Sequence, residues 1–138
     1  MRSLQWTEED SIYVPELDQE HQAMFHLTQE LRHAVMAGEA AARLEITAQR
    51  LSEEVTSHLR HEERLMREAG YPQIDWHERQ HGTVRAQIAT LADSIRAGEQ
   101  AAIFESLEAI AKWMKDHTSI ADCMAGAYLR NHLRALAH

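Results

Sequence analysis

The sequence predicts an all-α fold, an up-down-up-down four-helix bundle with an N-terminal extended arm and a short C-terminal helix. Three observations carry that reading. Apolar residues recur at spacings of three and four along four long stretches, almost nothing alternates with the period of a strand, and Gly38, Gly70 and Gly98 fall at the breaks between stretches. Short connections between long amphipathic helices make sequence neighbours antiparallel. With 138 residues, 44% of them hydrophobic, residues 1–138 are expected to form a single domain around one core.

Met1 to Leu17 lacks helical periodicity and contains Pro15, so residues 1–17 read as an extended arm whose Trp6, Ile12 and Val14 lie across a hydrophobic surface. Asp18 is the expected N-cap of a first helix from about Gln19 to Ala37, which Gly38 ends. On that helix His21, Met24, Phe25, Leu31 and Val35 share one stripe, which places His21 on the core face. A second helix, about Glu39 to Ala69, carries Leu44, Ala48, Leu51, Val55 and Leu65 on the face of His58 and Glu62. The third, about Ile74 to Ala97, aligns Val84, Ile88, Leu91 and Ile95 with His77 and His81. The fourth starts near Glu99 and aligns Ile103, Leu107, Ile110, Trp113 and Met114 with His117. The bundle therefore covers about 19–117, and the C-terminal segment 122–138 holds a shorter amphipathic helix near Met124 to Leu136. Ala37-Gly38-Glu39-Ala40 and Ala97-Gly98-Glu99-Gln100 also match at an offset of 60, which carries His21 onto His81. This reflects either two pseudo-symmetric hairpins or simply what a helix-turn-helix junction favours.

Residue numbers alone test the topology. His21 lies 17 residues before Gly38 and His58 lies 20 after it; Glu62 and His77 lie 8 before and 7 after Gly70; His81 and His117 lie 17 before and 19 after Gly98. Nearly equal paths up and down each hairpin bring all six to one level at one end of the bundle, facing inward.

Several function classes are excluded by composition. A net charge of −8 argues against nucleic-acid binding, which relies on basic patches. Met1 to Asp10 has no apolar signal region and no apolar run is long enough to span a bilayer, so no membrane association and a cytoplasmic location are expected. Cys123 is the only cysteine, which excludes internal disulfides and a multi-cysteine zinc site.

Five imidazoles and a glutamate buried in one layer would carry a severe desolvation cost unless something binds them, and a metal does. Asp122 completes the set only if the fourth helix ends or bulges after His117, because five residues along a regular helix is about 140° off the face. Five neutral imidazoles and two carboxylates exceed what one tetrahedral zinc needs. They suit two metals bridged by the carboxylates, and nitrogen and oxygen ligands without thiolates favour iron or manganese.

The pattern Asp18-x2-His21, His58-x3-Glu62-Glu63-x2-Met66, Gly70-Tyr71-Pro72, His77-x3-His81 and Trp113-x3-His117-x4-Asp122 resembles the single-domain bacterial hemerythrins of the hemerythrin-like HHE cation-binding family, from Trp6 to about Asp122. The resemblance implies two iron ions (Fe2+/Fe3+) with a bridging oxo or hydroxo group. One iron is held by His77, His81 and His117, the other by His21 and His58, with Glu62 and Asp122 bridging. It also implies reversible O2 binding at an open position on the two-histidine iron, with no substrate turned over, and a ligand pocket formed by Leu59, Trp113, Met114 and Thr118. Two positions depart from the family pattern: Leu59 stands where Phe is frequent, and Thr118 where a large apolar residue is common. A hydroxyl at 118 makes the pocket more polar and should shorten the life of the oxygenated form.

Of the remaining histidines, His26, His33, His61, His132 and His138 are expected at the surface or just outside the ligands, and Glu63 as a solvated neighbour. Cys123 reads as an inert packed thiol in preference to a redox-responsive one. Metal removal should make the protein unfold more easily, and more so at mildly acidic pH. O2 carriage or delivery is the favoured function. The alternatives are a sensor of O2, NO or redox state acting through a protein partner, and a di-iron peroxidase or oxidase.

Overall fold

The computed structural model describes residues 4–137. Its four long helices are α1 (Pro15–Met36), α2 (Ala41–Ala69), α3 (Ile74–Ala97) and α4 (Gln100–His117), and after five residues of π-helix, Thr118–Asp122, the chain continues as α5 (Cys123–Ala137). No strand occurs among the described residues. α1 packs on α2, α2 on α3, α3 on α4 and α4 back on α1, which closes the antiparallel four-helix bundle. Among the described residues no helix is long and apolar enough to cross a membrane.

All three turns between the long helices rest on a left-handed glycine, Gly38 (φ 72°) among them. Gly70 (φ 69°) and Gly98 (φ 67°) take the left-handed conformation, and the next residues reach back to close the helix ends, Tyr71 N–H donating to the Met66 carbonyl at 2.9 Å and Glu99 N–H to that of Ser94 at 3.2 Å. Helices α2 and α4 begin one or two residues later than their apolar periodicity suggests, at Ala41 and Gln100.

The arm and the start of α1 differ from expectation. Pro15 occupies the first turn of α1, where its missing N–H leaves nothing unpaired, so the helix starts four residues before Gln19. Asp18 is therefore no N-cap. From within the first turn its carboxylate accepts hydrogen bonds from the Ser11 hydroxyl at 2.6 Å and the Ile12 N–H at 2.9 Å, tying the arm onto α1. The arm is extended apart from one 3-10 turn, Glu8–Asp10, where Asp10 accepts from Thr7 N–H at 2.9 Å and pairs with Lys115 of α4 at 2.9 Å. Ile12 and Val14 are buried with Leu17 and Leu129 against Leu65 and Ala69, and Trp6 packs on the main core. Met1 to Ser3, read as part of the arm, and His138, read as tail, lie outside the described residues.

The predicted stripes form the core. Phe25, Leu31, Leu51, Val55, Leu91, Ile95, Leu107 and Ile110 are all buried, as are Met24, Val35, Leu44, Val84 and Ile103. Ile88, Leu65 and Trp113 are half-buried at its edges. A charged group also enters this region: Arg32 of α1 is 1% exposed, with its guanidinium on Glu108 of α4 at 2.8 Å and on Gln29 at 3.2 Å. A buried guanidinium is tolerable only because it is paired.

Candidate metal centre

Each long helix contributes to one polar layer. His21 comes from α1, His58 and Glu62 from successive turns of α2, His77 and His81 from successive turns of α3, and His117 from the last turn of α4. A spacing of four puts each pair on one face, and the apolar stripes in line with them turn that face inward. Asp122 arrives differently. Five residues on a regular helix would carry it about 140° away from His117, but Thr118–Asp122 is π-helix, whose i→i+5 repeat returns Asp122 to the side of His117. The bulge expected from the spacing is present. All seven side chains are at most 5% exposed.

Their ligand atoms fall into two overlapping groups: Glu62, His77, His81, His117 and Asp122 in one, His21, His58, Glu62 and Asp122 in the other. The carboxylates belong to both, and they divide their oxygens. Glu62 Oε1 lies 3.1 Å from His81 Nε2 and closest of all to His77 Nε2, while Glu62 Oε2 lies 3.1 Å from His58 Nε2. Asp122 Oδ1 lies 3.0 Å from His77 Nε2 and 3.1 Å from His117 Nε2, while its Oδ2 lies 3.1 Å from His21 Nε2.

These approaches are not an ordinary hydrogen-bond network. His21 and His58 bring Nε2 to Nε2 at 3.1 Å, and so do His77 and His117. In each contact one nitrogen must present a lone pair. Glu62 Oε2 and Asp122 Oδ1 are buried with no hydrogen-bond partner among the described residues, although imidazole nitrogens stand close to both. Atoms that crowd together yet leave oxygens unsatisfied fit a metal-binding layer, and the all-nitrogen-and-oxygen donor set suits iron or manganese.

Two carboxylates outside the layer hold the outer edges of the rings. Glu20 accepts from His58 Nδ1 at 2.8 Å and from His61 Nδ1 at 2.6 Å. Glu63 accepts from His81 Nδ1 at 2.7 Å and pairs with Arg85 at 3.0 Å. Glu63 is thus 15% exposed and bound to a ligand-type histidine, where a solvated neighbour was expected. Its position directly after Glu62 and one turn short of Met66 carried that signal only in hindsight, and Glu20 left none beyond standing next to His21. His61 sits just outside the layer as expected, and His26 is exposed.

The electrostatics follow from burial and charge. For the polypeptide alone, burial pushes the imidazoles of His21, His58 and His77 down, but their carboxylate neighbours outweigh it. His21 is raised to about 10 by Asp122 and Glu62, His58 to about 9 by Glu20 and Glu62, and His77 to about 9 by Asp122 and Glu62. His117 is raised for the same reason. Burial pushes Glu62 and Asp122 up, and the surrounding histidines hold both well below the carboxylate range. Without metal the layer would hold protons, which reverses part of the stability expectation: mildly acidic pH supports the metal-free layer through imidazolium–carboxylate pairs.

Of the residues expected to form a pocket, Leu59 and Met114 are 1% exposed and Thr118 3%. The Trp113 ring stacks on His117 with centroids 4.2 Å apart and planes 13° from parallel. A groove of about 400 Å3 between α3 and α4, lined by Trp76, Trp113, His117 and Ile120 among others, approaches from outside. Cys123 is exposed, not packed: the turn that buries Asp122 points its neighbour outward.

Similarity to known proteins agrees with this geometry. Residues 13–122 match the model of the hemerythrin HHE cation binding domain. The chain is also similar to a bacteriohemerythrin of Stenotrophomonas maltophilia (strain R551-3), 28% identical over 138 residues, a match covering 99% of this chain and 88% of the relative. With its helices, its inward-facing histidines and the span of that match taken together, the chain belongs to the hemerythrin HHE cation-binding family.

Proposed function

We propose that the protein binds O2 reversibly at a non-heme di-iron site, for carriage or delivery in the cytoplasm. In this reading His77, His81 and His117 would hold one iron and His21 and His58 the other, with Glu62 and Asp122 serving both and a solvent-derived oxo or hydroxo group completing the centre. The observation that carries it is the division of both carboxylates, each giving one oxygen to the three-histidine group and one to the two-histidine group. When bound, the iron pair supplies the electrons and the coordination position that O2 requires.

The chain's own residues supply geometry and exclusion of water. Glu20 and Glu63 fix two of the rings by their outer nitrogens. Leu59, Met114 and Trp113 keep the layer apolar on its approaches, and Thr118 adds one hydroxyl to that wall. The two-histidine half has one protein ligand fewer, which makes it the half that accepts a small molecule.

Anaerobic reduction of the iron-loaded protein followed by O2 tests the proposal. A visible band should appear with O2, vanish when O2 is withdrawn and return over several cycles. A single irreversible oxidation would overturn reversible binding. Sensing of O2 or NO through a protein partner is a second reading, favoured because Asp122 runs directly into α5, on which Met124 and Leu133 are each 50% exposed and Leu136 71%. A pull-down that captures a partner in only one oxygenation state would select it.

A further inference from the structure

Of the five inward histidines, two are anchored by their outer nitrogen to a carboxylate, one in each group: His58 by Glu20 and His81 by Glu63. The Nδ1 atoms of His21, His77 and His117 are buried with no hydrogen-bond partner among the described residues. The anchors are built differently. Glu63 is shared with Arg85, a permanent cation at the surface. Glu20 is shared with a second imidazole, His61, and both of its oxygens are engaged, Oε1 on His58 and Oε2 on His61.

We infer that Glu20 is a positioning residue for the metal of the two-histidine half, holding His58 through Nδ1 while His61 holds Glu20. Glu20 stands on α1 beside His21, and successive helical residues point about 100° apart. So as His21 turns into the layer, Glu20 reaches across to α2. A carboxylate only accepts, so the anchor keeps a proton on His58 Nδ1, and the nitrogen that a metal can strip of its proton and use as a donor is Nε2, aimed into the layer. An acceptor on the far nitrogen also makes the imidazole a stronger donor to a metal. Dependence on this anchor is greatest in the two-histidine half. There His58 is one of only two imidazoles, whereas in the other half His81 is one of three.

The inference rests on the two-metal reading, and the experiment separates the two. Metal-free protein is titrated with Co2+ alone against a competing chelator, with the visible ligand-field absorption recorded at each addition. The parent should take up two ions. Glu20→Ala should take up the first as the parent does and bind the second about 10- to 100-fold more weakly. Glu20→Gln, which keeps the shape and an acceptor oxygen, should fall between them. Glu63→Ala should weaken uptake less than Glu20→Ala, with the change confined to the first ion. Retention of the first ion with a parent-like helical spectrum shows that the fold survives each change. Second-ion affinity in Glu20→Ala equal to the parent's would overturn the role of Glu20 and leave the two-metal reading standing. A parent that takes up only one ion would overturn both.

Discussion

Around Leu31, Leu51, Leu91 and Leu107 the four helices meet through side chains no more than 1% exposed, and burial alone accounts for their contact. About three turns away on three of the helices and two on α2, the same four helices meet through five imidazoles and two carboxylates that are nearly as buried. The apolar layer needs no partner, whereas the polar layer is stable only with something held in common, protons or metal. The helix register that aligns the ligands is set by the apolar stripes, so the difference teaches that positioning and binding are separable tasks in this chain.

The sharpest way to break the comparison is one substitution in each layer. Glu62→Ala removes one of the two side chains that touch both groups of histidines and should abolish tight binding of both metals. Leu107→Ala should lower stability by about 2–5 kcal/mol and leave metal content unchanged. Metal analysis beside denaturant unfolding checks both, and loss of metal in Leu107→Ala would show that the layers are not separable.

Metal removal should lower thermal stability markedly, since binding to the folded form adds directly to its stability. The pH dependence has a definite sign. His21, raised to about 10, and His58 and His77, raised to about 9, contribute stability that is fully present below their unfolded value near 6.5 and lost as pH rises through 9 to 10. Glu62 and Asp122 are held low, so their contribution is present above the ordinary carboxylate range and lost only in strong acid. Metal-free protein should therefore be most stable from about pH 5 to 6.5 and lose stability in alkali. Metal-loaded protein should hold its metal less tightly as pH falls, because protons compete for the same nitrogens. Melting curves of both forms from pH 5 to 10 decide it; a metal-free form that weakens between 7 and 5.5 would contradict the sign.

A smaller effect lies outside both layers. Asp18→Ala frees the Ser11 hydroxyl and the Ile12 N–H and should cost about 1–3 kcal/mol, read by denaturant unfolding, with metal content intact. The smallest expected change is at Thr118, where Val or Ile should slow autoxidation of the oxygenated form without altering iron content or stability much. Equal autoxidation rates in parent and variants would make Thr118 a packing residue only.

The helices and their inward faces were legible because burial on a helix repeats every three or four residues, and a ligand on that stripe is read with its neighbours. The need for a bulge before Asp122 was legible for the same reason, since a five-residue step breaks the repeat. Asp18 was misread because Asp favours both the N-cap and the first turn, and only the position of Pro15 separates them. Glu20 and Glu63 were invisible as anchors because what they hold lies 38 and 18 residues away on a different helix. The exposure of Cys123 could not be anticipated, since it depends on the π-helical register of Thr118–Asp122, which sets the direction of the side chain that follows.

One polar layer with two shared carboxylates should hold two metals. Reconstituting the metal-free protein with excess Fe2+ under anaerobic conditions, removing unbound iron and counting iron per chain tests it most directly. Two per chain are expected in the parent and none tightly held in Glu62→Ala; one iron per chain in the parent, or an undiminished count in Glu62→Ala, would rule out a shared two-metal layer.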